Sequence, residues 1–170
     1  MFPKSEVLSP ALLMSAVEMQ RAKRLLAELK RHHEARQLDD LRPRAAQKGF
    51  EHFRAVGQAI YKKMDLLAAE VLQRELGLER YMVIHVIREG GYQIRMQILE
   101  FGFDDGRYGG RQSRWMWKLE GRKLRKDDTL GELRDGMCLG IGVILRRKLN
   151  GVWESLRWKS SCGAGNASAS

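Results

Sequence analysis

Between Gly106 and Lys126 the chain carries eight Lys or Arg residues against a single acid, Glu120. The stretch reads GRYGGRQSRWMWKLEGRKLRK, so Tyr108, Trp115 and Trp117 are interleaved with the cations. Cationic side chains at this density suit phosphate oxygens, and they bind them without regard to base sequence. In GRYGGR the glycines let the backbone come close to a phosphate, Arg107 and Arg111 supply charge, and Tyr108 offers a face for stacking on a base. In GRKLRK, Arg122, Lys123, Arg125 and Lys126 follow one another too closely to be buried. Arg114 and Lys118 lie between these two segments. A second cluster, Arg146, Arg147 and Lys148, precedes an Asn-Gly pair. These are the candidate nucleic-acid-binding residues.

The charge is unevenly spread. The whole chain of 170 residues has a formal charge of +10. Residues 1–79 carry 14 Lys/Arg against 11 Asp/Glu, whereas residues 80–170 carry 17 against 10. A solvated helix face mixes its signs, as the first half does; the excess in the second half sits in one segment. A positive field of this kind favours polyanions and says nothing about fold. Base-specific readout needs a helix or ribbon in a groove, and no such motif is visible.

Other chemistry finds little support. His32 and His33 are adjacent, so on a helix they point about 100° apart and do not chelate as i, i+4 pairs do. His52 and His85 lack partner ligands in the sequence, and no metal site is expected. Asp104-Asp105 and Asp127-Asp128 sit in turn-like stretches, where Asp has a conformational role. Phosphate-loop, dinucleotide, nucleophile-elbow and zinc-ligand signatures are missing, so no cofactor and no enzymatic activity is expected. Cys138 and Cys162 make no disulfide framework, which suits a reducing cytoplasmic setting. Glu6 and Glu18 bracket the early apolar patch and its spacing continues past Arg21, so a secretory leader is not expected. No apolar run approaches the roughly 18 residues of a membrane span.

The elements that must position these groups fall into two kinds. Up to Gly77 the apolar period is helical. Pro10, preceded by Ser9 as a cap, starts a helix over about residues 10–37 on a stripe of Leu8, Leu12, Met19, Ala22, Leu26 and Leu29, with Ser15 filling one slot. Asp39, Asp40 and Pro43 mark a connection. A second helix carries Ala46, Phe50, Phe53, Gly57, Ile60, Met64, Leu67 and Val71 at alternating steps of four and three, a heptad-like seam. It stops at Gly77, which suits the left-handed position past a helix end, with Leu78 packing back. Beyond Gly77 the period is two. Strands are expected around Gly90-Gly91, over SRWMWKLEG, over MCLGIGVILRRKL and over VWESLRW, the last two joined at Asn150-Gly151. FDDGRYGG reads as a loop, and DDTLGELRDG as holding a helical turn at most. Trp115 and Trp117 share one face of their strand and are expected in the core, with Arg114, Met116 and Lys118 facing the other way.

The expected fold is therefore α+β: a long N-terminal antiparallel helical hairpin followed by a twisted antiparallel sheet of about five strands. The divisions are residues 1–79 as a scaffold or dimerisation hairpin, 80–159 as a β domain with basic loops, and 160–170 as a disordered tail. The expected partner is nucleic acid, DNA in preference to RNA, with a second copy or a partner protein bound through residues 10–76 and no membrane. An accessory or regulatory factor in transcription, replication or mobile-element transfer fits that class. The alternative is an adaptor acting through the hairpin, with no nucleic-acid ligand.

Overall fold

A computed structural model describes residues 10–88, 93–105, 115–139, 142–147 and 153–155; for 87–88, 133–139, 142–147 and 153–155 it describes the backbone alone. The fold is α+β, with long helices followed by an antiparallel sheet. The elements are α1 Pro10–Leu13, α2 Ala16–Asp40, a 3-10 turn Arg44–Ala46, α3 Phe50–Leu76, β1 Val83–Arg88, β2 Gln93–Asp104, β3 Met116–Leu124, β4 Leu130–Leu139, β5 Gly142–Arg147 and β6 Trp153–Ser155.

The first helix is broken where the sequence spacing treated it as continuous. Ser15 is the N-cap of α2: its hydroxyl accepts from the Glu18 N–H at 3.3 Å while the Glu18 carboxylate accepts from the Ser15 N–H at 2.8 Å. This reciprocal capping box fixes an extended residue between α1 and α2. The register of the stripe changes accordingly, so Leu13 and Met14 are buried and Leu12 is exposed. α2 also runs three residues past the expected end, and Asp39 serves the loop by accepting the Lys48 N–H at 2.8 Å. α3 starts at Phe50 rather than Ala46 and ends as expected, with Gly77 at φ 66° and the Leu78 N–H bonded to the Leu72 carbonyl at 3.2 Å.

The two long helices run antiparallel, since Glu18 meets Arg74, Glu28 meets Lys63 and His32 meets Phe53. Ile60, Met64, Leu67, Ala68, Val71 and Leu72 of α3 join Ala22 and Leu25 of α2 and the inner face of the sheet in one hydrophobic cluster. The other end of the hairpin stands clear of that cluster: Leu38, Leu41 and Phe50 are exposed. The hairpin thus both packs on the sheet, through the C-terminal half of α3, and projects beyond it.

Among the described residues the sheet has six strands in the order β4-β3-β2-β1-β5-β6. Two sequence expectations need correction. DDTLGELRDG opens strand β4 instead of a helical turn. MCLGIGVILRRKL is not one strand: Met137–Leu139 ends β4 beside β3, and Gly142–Arg147 forms β5 beside β1. Four strand spacings separate β4 from β5 in this order, about 19 Å across a flat sheet. Leu139 and Gly142 are three residues apart in the chain, a span of at most about 11 Å. The sheet must therefore curl until the end of β4 approaches the start of β5. β2 supplies a bend, because a register shift between Ile98 and Glu100 moves its buried positions from Met96 and Ile98 to Phe101 and Phe103. An extra residue in one strand gives this local bend and phase change.

β5 and β6 pair antiparallel. The Gly90-Gly91 and Asn150-Gly151 turns, Ser9, Leu8 and the 160–170 tail lie outside the described residues.

Candidate nucleic-acid interface

Strand β3 carries the centre of the basic segment, and its alternation is sharp. Trp117, Leu119 and Gly121 are buried, while Lys118, Glu120 and Arg122 are exposed. Trp117 has no accessible surface and belongs to the core, while Trp115 is half-buried and packs against the core beside Phe103, ring centroids 6.1 Å apart. Among the described residues the indole N–H of Trp117 has no hydrogen-bond partner.

GRKLRK is not a loop. Gly121–Leu124 completes β3, and only Arg125 and Lys126 lie in the turn to β4. Gly121 allows β2 and β3 to close here, because a Cβ on it would lie 1.9 Å from the Gln97 carbonyl oxygen. A second register shift, between Arg122 and Leu124, follows at once on the β4 side. A bulge turns two consecutive side chains outward, and Arg122 and Lys123 are both exposed.

The turn itself is braced. The Arg125 N–H donates to the Thr129 carbonyl at 2.8 Å and the Asp128 N–H to the Arg125 carbonyl at 3.1 Å. Asp127 accepts from both the hydroxyl and the amide of Thr129, which holds its carboxyl below the usual carboxylate range. Arg95 on β2 clasps the turn with both guanidinium nitrogens, one to the Asp128 carboxylate and one to the Arg125 carbonyl at 3.1 Å. Arg95 is a positioning residue that the sequence segment did not reveal, since it lies 26 positions before Gly121. Among the described residues, no carboxylate lies within ion-pair distance of Arg122, Arg125 or Lys126, although the charge of Arg125 helps lower the Asp127 pKa.

Lys118 behaves differently. Its ammonium group lies 3.2 Å from the Asp104 carboxylate. Both line a cleft of about 860 Å³ between the helical hairpin and strands β2 and β3, with Tyr61, Asp65, Arg80, Glu100 and Phe101. The cleft's charges are largely satisfied within the protein: Asp65 pairs with Arg80, accepts the Phe101 N–H at 2.7 Å, and leaves Arg80 free to reach the Leu99 carbonyl at 2.9 Å. The structure therefore separates Lys118 from the Arg122–Lys126 corner.

Arg107, Tyr108, Arg111 and Arg114 lie outside the described residues, as does Lys148. The chain enters the first of these stretches from Asp105 at the end of β2 and leaves it at Trp115 before β3, which is the opposite end of β3 from the basic turn. The nine residues of β3 separate the two ends by roughly 27 Å. Arg146 and Arg147 lie on β5, whose backbone pairs with β1 rather than with a neighbour of β3. The ladder Arg146, Ile84, Met96, Lys123 nevertheless puts Arg146 level with Lys123, two strands intervening.

No group of three or more metal-ligating side chains occurs among the described residues. His32, His33 and His52 gather near the projecting end of the hairpin around Phe53. His32 lies over Gly57, its Nε2 3.0 Å from where a Cβ would be. Burial, with the nearby charges of His33, Arg36 and His52, lowers its pKa from the usual histidine value. Among the described residues no helix is long and apolar enough to cross a membrane.

No protein-family model matches the chain, and comparison with curated proteins and with solved structures finds no significant match.

Proposed function

We propose that this chain is a non-enzymatic nucleic-acid-binding protein of the accessory or regulatory kind, DNA being its polyanion in preference to RNA. The observation that carries the reading is the corner at the end of β3. Arg122 near the end of β3, and Arg125 and Lys126 in the turn that Arg95 holds in place, stand exposed, and among the described residues none of the three forms an ion pair with a carboxylate. Unpaired exposed cations on a fixed backbone meet phosphates with little ordering cost, and each contact releases counterions. Lys123 extends the corner, and Arg146 and Arg147, whose backbone lies on β5, are candidate contacts on sequence grounds. Lys118 contributes less, because Asp104 competes for its charge. Arg107, Tyr108, Arg111, Arg114 and Lys148 are candidate contacts on sequence grounds alone.

Titration of fluorescently labelled single-stranded and duplex DNA at about 50 mM salt tests this. Measurable binding that falls when Arg122, Arg125 and Lys126 become Ala supports the reading. Absence of binding to either ligand sinks it.

One observation favours a second reading, an adaptor acting through the hairpin. Leu41 at the projecting end is 83% exposed, and Leu38 and Phe50, at the ends of the two helices there, are exposed as well. Exposed apolar side chains clustered on a projection suit a partner protein or a second copy. This reading has no nucleic-acid ligand, so the DNA titration separates it from the first, and the mass in solution by light scattering separates a dimer from a monomer.

A further inference from the structure

Tyr81 has a conformation that the fold does not repay. Its φ is 65°, in the left-handed region. It is the third residue of a turn from Glu79 to Met82, closed by the Met82 N–H on the Glu79 carbonyl at 3.3 Å. A positive φ at that position favours Gly or Asn, and for a bulky side chain it is an outlier. The surroundings hold it there. The Tyr81 N–H donates to the Ile98 carbonyl at 2.7 Å, and the Gln97 side-chain amide donates to the Tyr81 carbonyl at 3.2 Å. Its neighbour Arg80 is fastened to Asp65 and to the Leu99 carbonyl. The ring gains nothing in return: the residue is 68% exposed, and its side chain makes no hydrogen bond or ring contact among the described residues. Backbone strain maintained for an idle, solvent-facing side chain is a mark of function.

Its place on the sheet says which function. Gln97, which bonds the Tyr81 carbonyl, is the register partner of Arg122. Val83, two residues on, pairs with Gln97 as well. Tyr81 thus flanks the row that leads into the basic corner. Trp117 is core, Trp115 packs against the core, Phe50 stands at the far end of the hairpin, and Tyr61 lines the cleft. Among the described residues, Tyr81 is an exposed aromatic that reaches the row of Arg122 through Gln97.

We propose that Tyr81 is a base-stacking residue, and that the nucleic acid it receives is single-stranded or locally unpaired. This rests on the nucleic-acid reading above. Phosphates would sit on Arg122, Arg125 and Lys126 while one exposed base lies against the phenol ring. Stacking on one aromatic tolerates any base, in keeping with a site that has no groove-reading element.

The test is a set of titrations of oligo-dT and of a duplex of equal length, with wild type, Tyr81→Ala, Tyr81→Phe and Tyr81→Gly, each also melted. Tyr81→Ala weakens oligo-dT binding about 5- to 150-fold and changes duplex binding little. Its salt slope stays that of wild type, since no phosphate contact is lost. Tyr81→Phe binds as wild type. Tyr81→Gly melts a few degrees higher, because the left-handed backbone suits glycine, yet binds as weakly as the Ala variant. Oligo-dT binding by Tyr81→Ala within about twofold of wild type overturns the stacking role. So does a Tyr81→Gly protein that melts below wild type, since the ring would then be structural. If wild type binds duplex alone, with Tyr81 indifferent, the stacking role falls and the nucleic-acid reading stands. If wild type binds neither ligand, the underlying reading falls.

Discussion

Replacing Gly121 by Ala puts a methyl group where no atom fits. The added Cβ would lie 1.9 Å from the Gln97 carbonyl oxygen, 2.9 Å from its carbon and 2.7 Å from the Met96 terminal methyl. Met96 can swing aside, but the Gln97 peptide is in the ladder. To restore ordinary contact, β2 and β3 must part by about 1.5 Å. That separation breaks about two ladder hydrogen bonds, near 1 kcal/mol each, and leaves a carbonyl without a donor. Overpacking adds about 1–3 kcal/mol, for a total of roughly 3–5 kcal/mol. At about 2–4 °C per kcal/mol for a chain of this size, the melting temperature falls by roughly 6–20 °C. Gly102→Ala is the internal control. It lies on the same strand pair, and its Cβ would meet Lys118 at an ordinary 3.6 Å. The account gives it a change within about 0.5 kcal/mol. Thermal denaturation followed by circular dichroism reads both. A Gly121→Ala protein melting within about 2 °C of wild type, or a Gly102→Ala protein falling equally, refutes the close approach. Because Gly121 precedes Arg122, Gly121→Ala also weakens DNA binding at temperatures where it remains folded, and Gly102→Ala does not.

Glu18 accepts two hydrogen bonds from Arg74 and caps α2 with Ser15, and these hold its pKa at about 2 against an ordinary 4.5. A carboxylate depressed in this way stabilises the fold above pH 4.5 and loses that contribution as pH falls towards 2. Glu18→Gln therefore costs about 1 kcal/mol at neutral pH, after allowing for the half-exposed Arg74, and its acid unfolding curve is shallower than wild type; equal acid sensitivity in the two proteins refutes the pairing. For His32 the sign is the reverse. A histidine with a lowered folded pKa prefers to be neutral, so stability is lost as pH falls below the ordinary histidine value, and hydrogen exchange should quicken in residues 31–57 between pH 7.5 and 5.5 while strands β1–β3 stay protected. Asp65→Ala leaves the Phe101 N–H without its acceptor and Arg80 without its carboxylate, and should cost about 2–3 kcal/mol by urea denaturation, with Asp65→Asn recovering part of the loss.

The sequence pattern carried the broad architecture because period and punctuation are local properties. Gly77 and Leu78 closed α3 as their types require, and the change to a period of two beyond Gly77 marked where the sheet begins. Three features escaped it. The capping box at Ser15 and Glu18 was written in the S-x-x-E spacing, but the apolar stripe seemed to pass through Ser15 unbroken. The bulges at Ile98/Glu100 and Arg122/Leu124 have no composition of their own, so the phase shift to Phe101 and Phe103 and the joint exposure of Arg122 and Lys123 came only with the ladder. The division of MCLGIGVILRRKL between two distant strands depends on sheet closure, a long-range property.

The site shows the same division. That Arg122, Arg125 and Lys126 are exposed follows from their crowding. That Lys118 is paired with Asp104, and that Arg95 clasps the turn, depends on which strands are neighbours. Tyr81 carried no signal at all, since Leu-Glu-Arg-Tyr lacks the Gly or Asn that would advertise a left-handed turn residue.

The salt dependence of DNA binding tests the central claim most directly. Duplex affinity is measured at several salt concentrations for wild type and for Arg122→Ala/Arg125→Ala/Lys126→Ala. Each lost phosphate contact removes about 0.9 from the slope of log affinity against log salt, so the triple variant should be shallower by about 2.7. Wild-type binding whose slope is the same in the variant would contradict the assignment of the phosphate contacts to this corner.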